Sequence, residues 1–366
     1  MSNTWEEKWI EDINYLRDTL IKNHKNLFFN ISKDEFEEKI KNLKSMINEL
    51  DYEEMKVEIS RVIASIKDAH TAIAIPAKRY LPFKLYWFND GIYIINTTAV
   101  YKKILYKKVT AIDGIPINEV IDDMSQIISY ENDFLFKAQC VKYMQVAEVL
   151  YGLLIIDSME SLKVRVEDKD IEINTVSFNE LQYIVNDKLP IYAKKSDENL
   201  WYEYIEKEQD LYIKYNSCRE YGEILIKDKI IDITKFIENN KIHKVIVDLR
   251  NNMGGDSTLL EPLIDYIKKH KVINTKGNLK VVIGRETFSS ALLNAYKFKF
   301  ETNATIIGEP SGGKPNCYGE ILRFNLPNSK FNISYSTRYY KIIEDDSVMA
   351  LYPDELMEES IEDFIF

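Results

Sequence analysis

Two adjacent serines, Ser289 and Ser290, sit where an apolar, strand-like run breaks at a polar turn and resumes with helical text, in VIGRETFSSALLNAYKFK (282–299). Serine is a favoured helix N-cap, because its hydroxyl accepts from an otherwise orphaned backbone N–H, so such a pair can simply start a helix. The same position suits a nucleophile. The helix dipole and the neighbouring N–H groups stabilise negative charge as it develops on a bound carbonyl oxygen. Ala291 keeps the turn slim enough for a substrate backbone to approach. Upstream, KVIVDLRNNMGGDS (244–257) is an apolar strand running into a Gly-Gly turn that lacks the Lys-Ser/Thr ending of a nucleotide-phosphate loop. Such a turn can aim backbone N–H groups into a cavity, as an oxyanion requires, or merely tighten a strand-to-helix connection. On residue types alone, both segments stay open between the two uses.

Other chemistries find less support. The four histidines (His24, His70, His243, His270) and three cysteines (Cys140, Cys218, Cys317) are scattered, without the paired spacing of a local metal site. No metal and no cofactor are expected, and the cysteines read as buried thiols. A formal net charge of -11 argues against nucleic acid, whose phosphate backbone calls for a basic footprint. No apolar run is long enough to span a bilayer; VLYGLLII (149–156) is among the longest. The start, MSNTWEEKWIEDI, lacks the charged-then-apolar secretory pattern, which reads as cytoplasmic, or as extracytoplasmic if a leader has been removed.

Several elements must position these residues. The chain has 366 residues, enough for two or three domains, and 45% of them are hydrophobic, as in an ordinary globular protein. Residues 1–75 contain neither glycine nor proline and place Trp9, Ile13, Leu16 and Leu20, then Phe36, Ile40, Leu43 and Ile47, at helical spacing, with Asn30 or Ser32 as a helix start. Beyond Pro76, FKLYWFNDGIYIINTT (83–98) is a hairpin around Asp90–Gly91, and a second Asp-Gly turn follows at 113–114. Helical text (117–155), a strand pair in 162–176 and a polar linker (186–199) come next. From Trp201 onward strands alternate with helices, the rhythm of a mostly parallel sheet. Eight of the 12 glycines lie between 254 and 319, in loops of this last region, where sites of such sheets are built.

In this order, VDLRNNMGGDS, TFSSA, IIGEPSGGKPNCYGE and LYPDELMEES resemble the C-terminal processing (tail-specific) serine peptidases. KDAHTAI (67–73) resembles the segment from which the tricorn-like branch draws its base. The resemblance covers most of the chain. It implies an α+β and α/β multidomain fold: an N-terminal helical domain (1–78), a PDZ-like β-rich domain with a helical insertion (79–190), and a ClpP/crotonase-like α/β core (191–366). The PDZ-like middle lacks a clear carboxylate-binding glycine loop, so a preference for free C-termini does not follow.

The family's Thr-X-Ser-Ala-X-Glu pattern places the nucleophile on Ser289, with Ser290 in the alanine position and Leu292 in the glutamate position. Two bases are implied, His70 and Lys314. Lysine titrates at about 10.4, so acting as a base at neutral pH needs roughly 4 kcal/mol of burial and repulsion, whereas histidine, at about 6.5, needs almost none. His70 is therefore the expected base and Lys314 the alternative. A third, acidic member is implied in KIIEDDSVMALYPDE (341–355), where Asp346 is preferred over Glu344 and Asp345. The oxyanion donors implied are the N–H of Ser290 and one from Gly254 or Gly255. Asp248 and Arg250 are expected to brace the turn as an ion pair, and Asp68 to brace the histidine's turn. The expected activity is a serine endopeptidase acting on unstructured or partly unfolded polypeptides, with peptide or protein substrates as partners. The alternative is a catalytically silent binding module of the same fold, for peptides or apolar ligands.

Overall fold

The computed structural model describes residues 4–184 and 190–365, so the first residues of the polar linker (186–189) lie outside the described residues. Three helices open the chain: α1 (Trp5–Asn23), α2 (Lys33–Ser45) and α3 (Tyr52–Ala64). Each starts with a reciprocal capping box, Thr4 with Glu7, Ser32 with Glu35 and Asp51 with Glu54, which satisfies backbone donors that helix geometry leaves orphaned. The apolar stripes expected on α1 and α2 are buried, from Trp9 to Leu20 and from Phe36 to Leu43.

The middle of the chain is a six-stranded antiparallel sheet. β2 (Phe83–Phe88) and β3 (Gly91–Thr97) form the hairpin expected at Asp90–Gly91, and β4 (Lys108–Ile112) with β5 (Ile115–Pro116) flanks the second Asp-Gly turn. Helices α4 (Ile117–Ile127), α5 (Asp133–Tyr143) and α6 (Ala147–Gly152) follow, and β6 (Ser161–Val166) and β7 (Lys169–Asn174) complete the sheet. Ahead of all these, β1 (Ala72–Ile73) pairs elsewhere.

The last part is built on a sheet ordered β15-β12-β11-β10-β9-β8. β8 (Leu200–Ile205) runs antiparallel to β9 (Asp210–Tyr215), and the other pairs are parallel. Between β9 and β10 (Lys244–Asp248) lies α7 (Ile226–Asn239); α8 (Glu261–Lys269) leads to β11 (Leu279–Ile283), and α9 (Ser290–Glu301) to β12 (Thr305–Gly308). All six residues of β9 are buried, as expected of an inner strand covered on both faces. β13 (Cys317–Asn325) and β14 (Asn332–Tyr340) form a long hairpin before β15 (Glu355–Leu356) and α10 (Glu362–Ile365).

That hairpin joins the two ends of the chain. β1 pairs antiparallel with β14, Ala72 opposite Ser334 and Ile73 opposite Ile333. Leu326, Phe331, Ile333 and Tyr335 enter the same core cluster as the N-terminal helices. The buried carboxylate of Asp12, on α1, accepts the N–H groups of Asn328 (2.7 Å) and Ser329 (2.8 Å) in the hairpin's turn. The helical region thus takes one wall of its core from sequence some 300 residues away.

Candidate active site

Ser289 stands at the N-cap of α9 but does not behave as one. Its backbone is at φ 53°, ψ -126°, far from the extended conformation of an N-cap, and its side chain caps nothing. These angles match the first central position of a type II′ turn, which normally requires glycine; a residue with a side chain held there costs about 1–3 kcal/mol. Ser290 takes the structural role instead. It is buried, and its Oγ donates to the Gly255 carbonyl at 2.6 Å. Leu292, in the position of the family's glutamate, is buried in the core.

The strained turn is held on every side. Thr287 Oγ1 donates to the Leu249 carbonyl and accepts from the Gly284 N–H, both at 3.0 Å. The Phe288 N–H donates to the Asn252 carbonyl (3.1 Å), and the Gly313 N–H to the Thr287 carbonyl (3.1 Å). Gly254 packs directly on the serine: a Cβ there would lie 2.8 Å from Ser289 Cβ and 2.9 Å from Ser290 N, and its φ is +95°. The Gly254 N–H donates to Asn252 Oδ1 (2.9 Å), so of the two glycines Gly255 keeps an N–H without an acceptor among the described hydrogen bonds, as does Ser290 at the first turn of α9.

Beneath this turn lies a buried charge network. Asp248 accepts from Arg250 Nε (2.9 Å), the expected brace, and also from Lys214 Nζ (2.9 Å) and Tyr212 OH (2.6 Å). Lys214 and Asp248 are both fully buried. Burial alone would raise the Asp248 carboxyl, but Lys214 and Arg250 outweigh it and hold the group below its ordinary value. Lys214 also reaches Asn251 Oδ1 (2.9 Å), which ties the network to the start of the Gly-Gly turn.

His70 arrives from the opposite end of the sequence. It lies in the short loop between α3 and β1, and its carbonyl accepts from Ser334 Oγ at 2.9 Å, so β14 holds the loop in place. The imidazole stacks on Phe288, the residue before Ser289, with centroids 4.4 Å apart and planes at 26°. Burial pushes its pKa down, with Asp68 and the Tyr318 backbone opposing. Asp68 braces the loop: Oδ1 accepts the His70 N–H (3.0 Å), and Oδ2 accepts from Thr71 Oγ1 (2.5 Å), Ser336 Oγ (2.6 Å) and His24 Nε2 (2.9 Å). His24 Nδ1 accepts the Asn26 N–H (3.1 Å), which assigns the proton to Nε2. Burial raises Asp68, but these partners and His70 bring it below the ordinary carboxylate range.

The structure gives the three acids of 344–346 other partners. Asp346 Oδ1 accepts from Asn316 Nδ2 (2.6 Å) and Tyr339 OH (3.4 Å). Asp345 accepts from Ser347, and the exposed Glu344 pairs with Lys341. The carboxyl that comes close to the histidine is Glu131, in the connection between α4 and α5. One of its oxygens, a ring nitrogen of His70 and Cys317 Sγ lie within 4.8 Å of one another. Its neighbour Asn132 donates to the carbonyls of Gly312 (3.1 Å) and Met349 (2.7 Å), which fixes the segment against the core. Burial pushes Glu131 up to about 8, Asp68 adds to the rise, and Lys314 opposes it. Lys314 lines a cavity of about 440 Å³ together with Glu131, Cys317 and Tyr318.

A larger cavity, about 880 Å³, lies between β2, α5 and the carboxyl ends of β11 and β12, with Arg250, Asn251, Arg285 and Glu286 in its wall. The first two precede the Gly-Gly turn and the last two precede the serine turn, so the cavity adjoins both. Glu359 closes one side through Arg250 (3.1 Å) and Tyr192 OH (3.0 Å).

The serine turn and the Gly-Gly turn both fall within a match to a family model, described as peptidase family S41, over residues 211–347. The chain is a serine-type peptidase, and its substrates are peptides or proteins. Its fold is similar to that of mature CPAF complexed with lactacystin (TM-score 0.68, 11% identity, 98% of this chain and 95% of that one). It is likewise similar to mature CPAF (TM-score 0.66, 11% identity, 98% and 94%). A search of curated proteins finds no match. The shared fold reaches well beyond the family match and takes in the His70 loop and the middle sheet.

Proposed function

We propose that this protein is an endopeptidase for unstructured or partly unfolded polypeptides, with Ser289 as the nucleophile and His70 as the general base. The observation that carries this reading is the backbone of Ser289: a left-handed, uncapped serine at a helix start, beside a serine that does the structural work. A strained strand-to-helix turn is how a nucleophile's hydroxyl is presented at the end of a sheet.

In the proposed reaction Ser289 Oγ attacks the scissile carbonyl carbon while its proton passes to the imidazole of His70. The carbonyl π pair moves onto oxygen, where the N–H of Ser290 and one from the Gly-Gly turn, that of Gly255, stabilise it. His70 then gives its proton to the leaving amine and the C–N bond breaks, leaving an ester on Ser289. Water, deprotonated by the same imidazole, attacks the ester and releases the acid and the free serine. Glu131 is the carboxyl placed to stabilise the imidazolium, and Asp68 fixes the loop without touching the ring. The loop that bears His70 is tied to the core by β1–β14, and the ring rests on Phe288, which supports histidine over Lys314 as base. The 880 Å³ cavity beside the two turns is where an extended, unfolded substrate segment is proposed to lie.

Replacing Ser289 with alanine tests this. Cleavage of an unfolded protein substrate and covalent labelling by a fluorophosphonate should both vanish, and both should survive Ser290→Ala. Labelling that persists in Ser289→Ala, or that depends on Ser290, refutes the assignment.

A further inference from the structure

We propose that His70, Glu131 and Cys317 form a binding site for a divalent transition-metal cation, best matched by Zn2+, whose occupation disables the histidine as a base. The inhibitory half rests on the proposed role of His70; the binding half does not. One imidazole nitrogen, one carboxylate oxygen and one sulfur lie within 4.8 Å of one another, supplied by three segments distant in sequence that the fold brings together. Two of the three residues carry atoms that are buried and have no hydrogen-bond partner: His70 Nδ1 and Glu131 Oε2. His70 is only 9% exposed. Buried polar atoms are paired in nearly all folded proteins, so two orphans in one cluster point to a missing partner.

The donor set narrows its identity. Nitrogen, oxygen and sulfur together suit Zn2+, whereas Mg2+ and Ca2+ take oxygen ligands. Tetrahedral zinc with bonds of about 2.0–2.3 Å separates its donors by about 3.3–3.6 Å, so the cluster needs to contract by no more than about 1.5 Å. Three protein ligands leave a fourth position for water. The 440 Å³ cavity, in whose wall Glu131 and Cys317 stand, provides the entry path. Lys314, whose charge is felt by Glu131, works against a cation there. A bound metal uses a ring nitrogen's lone pair and adds positive charge beside the imidazole, and both effects oppose uptake of a proton from Ser289.

The test uses the full chain and Co2+ as a coloured stand-in. The wild type should develop a thiolate-to-cobalt charge-transfer absorption, erased by Zn2+ and unaffected by Mg2+ or Ca2+. Cys317→Ser should lose that band, and Cys317→Ser and Glu131→Gln should each weaken Zn2+ binding at least about tenfold, since even outer-shell changes cost that much. Lys314→Met should tighten it. Zn2+ should block fluorophosphonate labelling, a chelator should restore it, and Cys317→Ser should need more metal. Absence of the band, or unchanged Zn2+ affinity in folded Cys317→Ser and Glu131→Gln, overturns the site. A band with labelling indifferent to Zn2+ overturns the inhibitory role. Should no labelling occur under any condition, the peptidase assignment fails while the cobalt spectrum still decides the site.

Discussion

Ser289 sits in a conformation that its own side chain opposes, and this has a measurable thermodynamic consequence. Two substitutions remove the hydroxyl equally but treat the backbone differently. Ser289→Ala keeps a Cβ at φ 53°, ψ -126° and keeps the strain; Ser289→Gly removes both. Relief of a left-handed or mirror-β residue is worth about 1–3 kcal/mol. Glycine gives back about 0.4–1 kcal/mol through the larger entropy of its unfolded chain. The glycine variant should therefore be the more stable of the two by about 1 kcal/mol, roughly a fivefold shift in the folding equilibrium. Neither hydroxyl-less variant should turn over. Urea unfolding followed by tryptophan fluorescence measures the difference through the shift in midpoint at constant slope. Because neither variant has the hydroxyl, differences in side-chain bonding drop out of the comparison. If Ser289→Gly proves equal to Ser289→Ala or less stable, the turn is not strained as described, and the geometric case for the nucleophile falls with it.

Further outcomes follow from the same contacts. Ser290→Ala should cost about 1–2 kcal/mol of stability in urea melts, since it strands the Gly255 carbonyl, yet retain fluorophosphonate labelling at Ser289. Lys214→Met should destabilise the chain by about 3–5 kcal/mol, because it leaves the buried Asp248 facing one cation fewer; a loss below about 1 kcal/mol would argue against a charged pair. Asp248 titrates lower in the folded chain than in the unfolded one, so its contribution is fully present above about pH 4 and disappears as pH falls through the folded value. Asp248→Asn should accordingly be destabilised near neutrality and show a shallower loss of stability on acidification. Gly255→Ala would set a Cβ 2.0 Å from the Cys218 carbonyl oxygen at φ +142°, and should yield little soluble, folded protein by expression and circular dichroism.

Local signals carried much of the architecture. Ser32 opens a helix because a hydroxyl three residues before a glutamate completes a capping box, and Asp90–Gly91 makes a hairpin because the turn needs its backbone freedom. Ser289, Ser290, Gly254 and Gly255 stayed ambiguous on residue types alone; the resemblance joined them into one constellation, and the fold packs Gly254 directly on the two serines. What escaped is non-local. Glu131 lies in ISYENDF (128–134), inside the stretch that reads as helical text, and is in fact in the connection between α4 and α5; Asn132, clamped to the 311–313 loop and to Met349, turns it inward. The acids at 344–346 lie nearer the expected place in sequence, but Asn316, Ser347 and Lys341 engage them first. Lys214 is hidden in DLYIKY, a strand whose neighbouring residues 211–213 and 215 are all apolar. The nearness of His70, Glu131 and Cys317 spans 247 residues of sequence, and spacing rules for metal ligands see only neighbours.

The short ladder between Ala72–Ile73 and Ile333–Ser334 bears on timing during synthesis. A ribosome delivers the imidazole early, but the strand that seats it emerges only after some 260 more residues have been made. Until then the nascent polypeptide holds the proposed base without a seat and, for most of that interval, without the proposed nucleophile. On the roles proposed for Ser289 and His70, hydrolysis therefore has to wait until β14 has been made and has paired with β1.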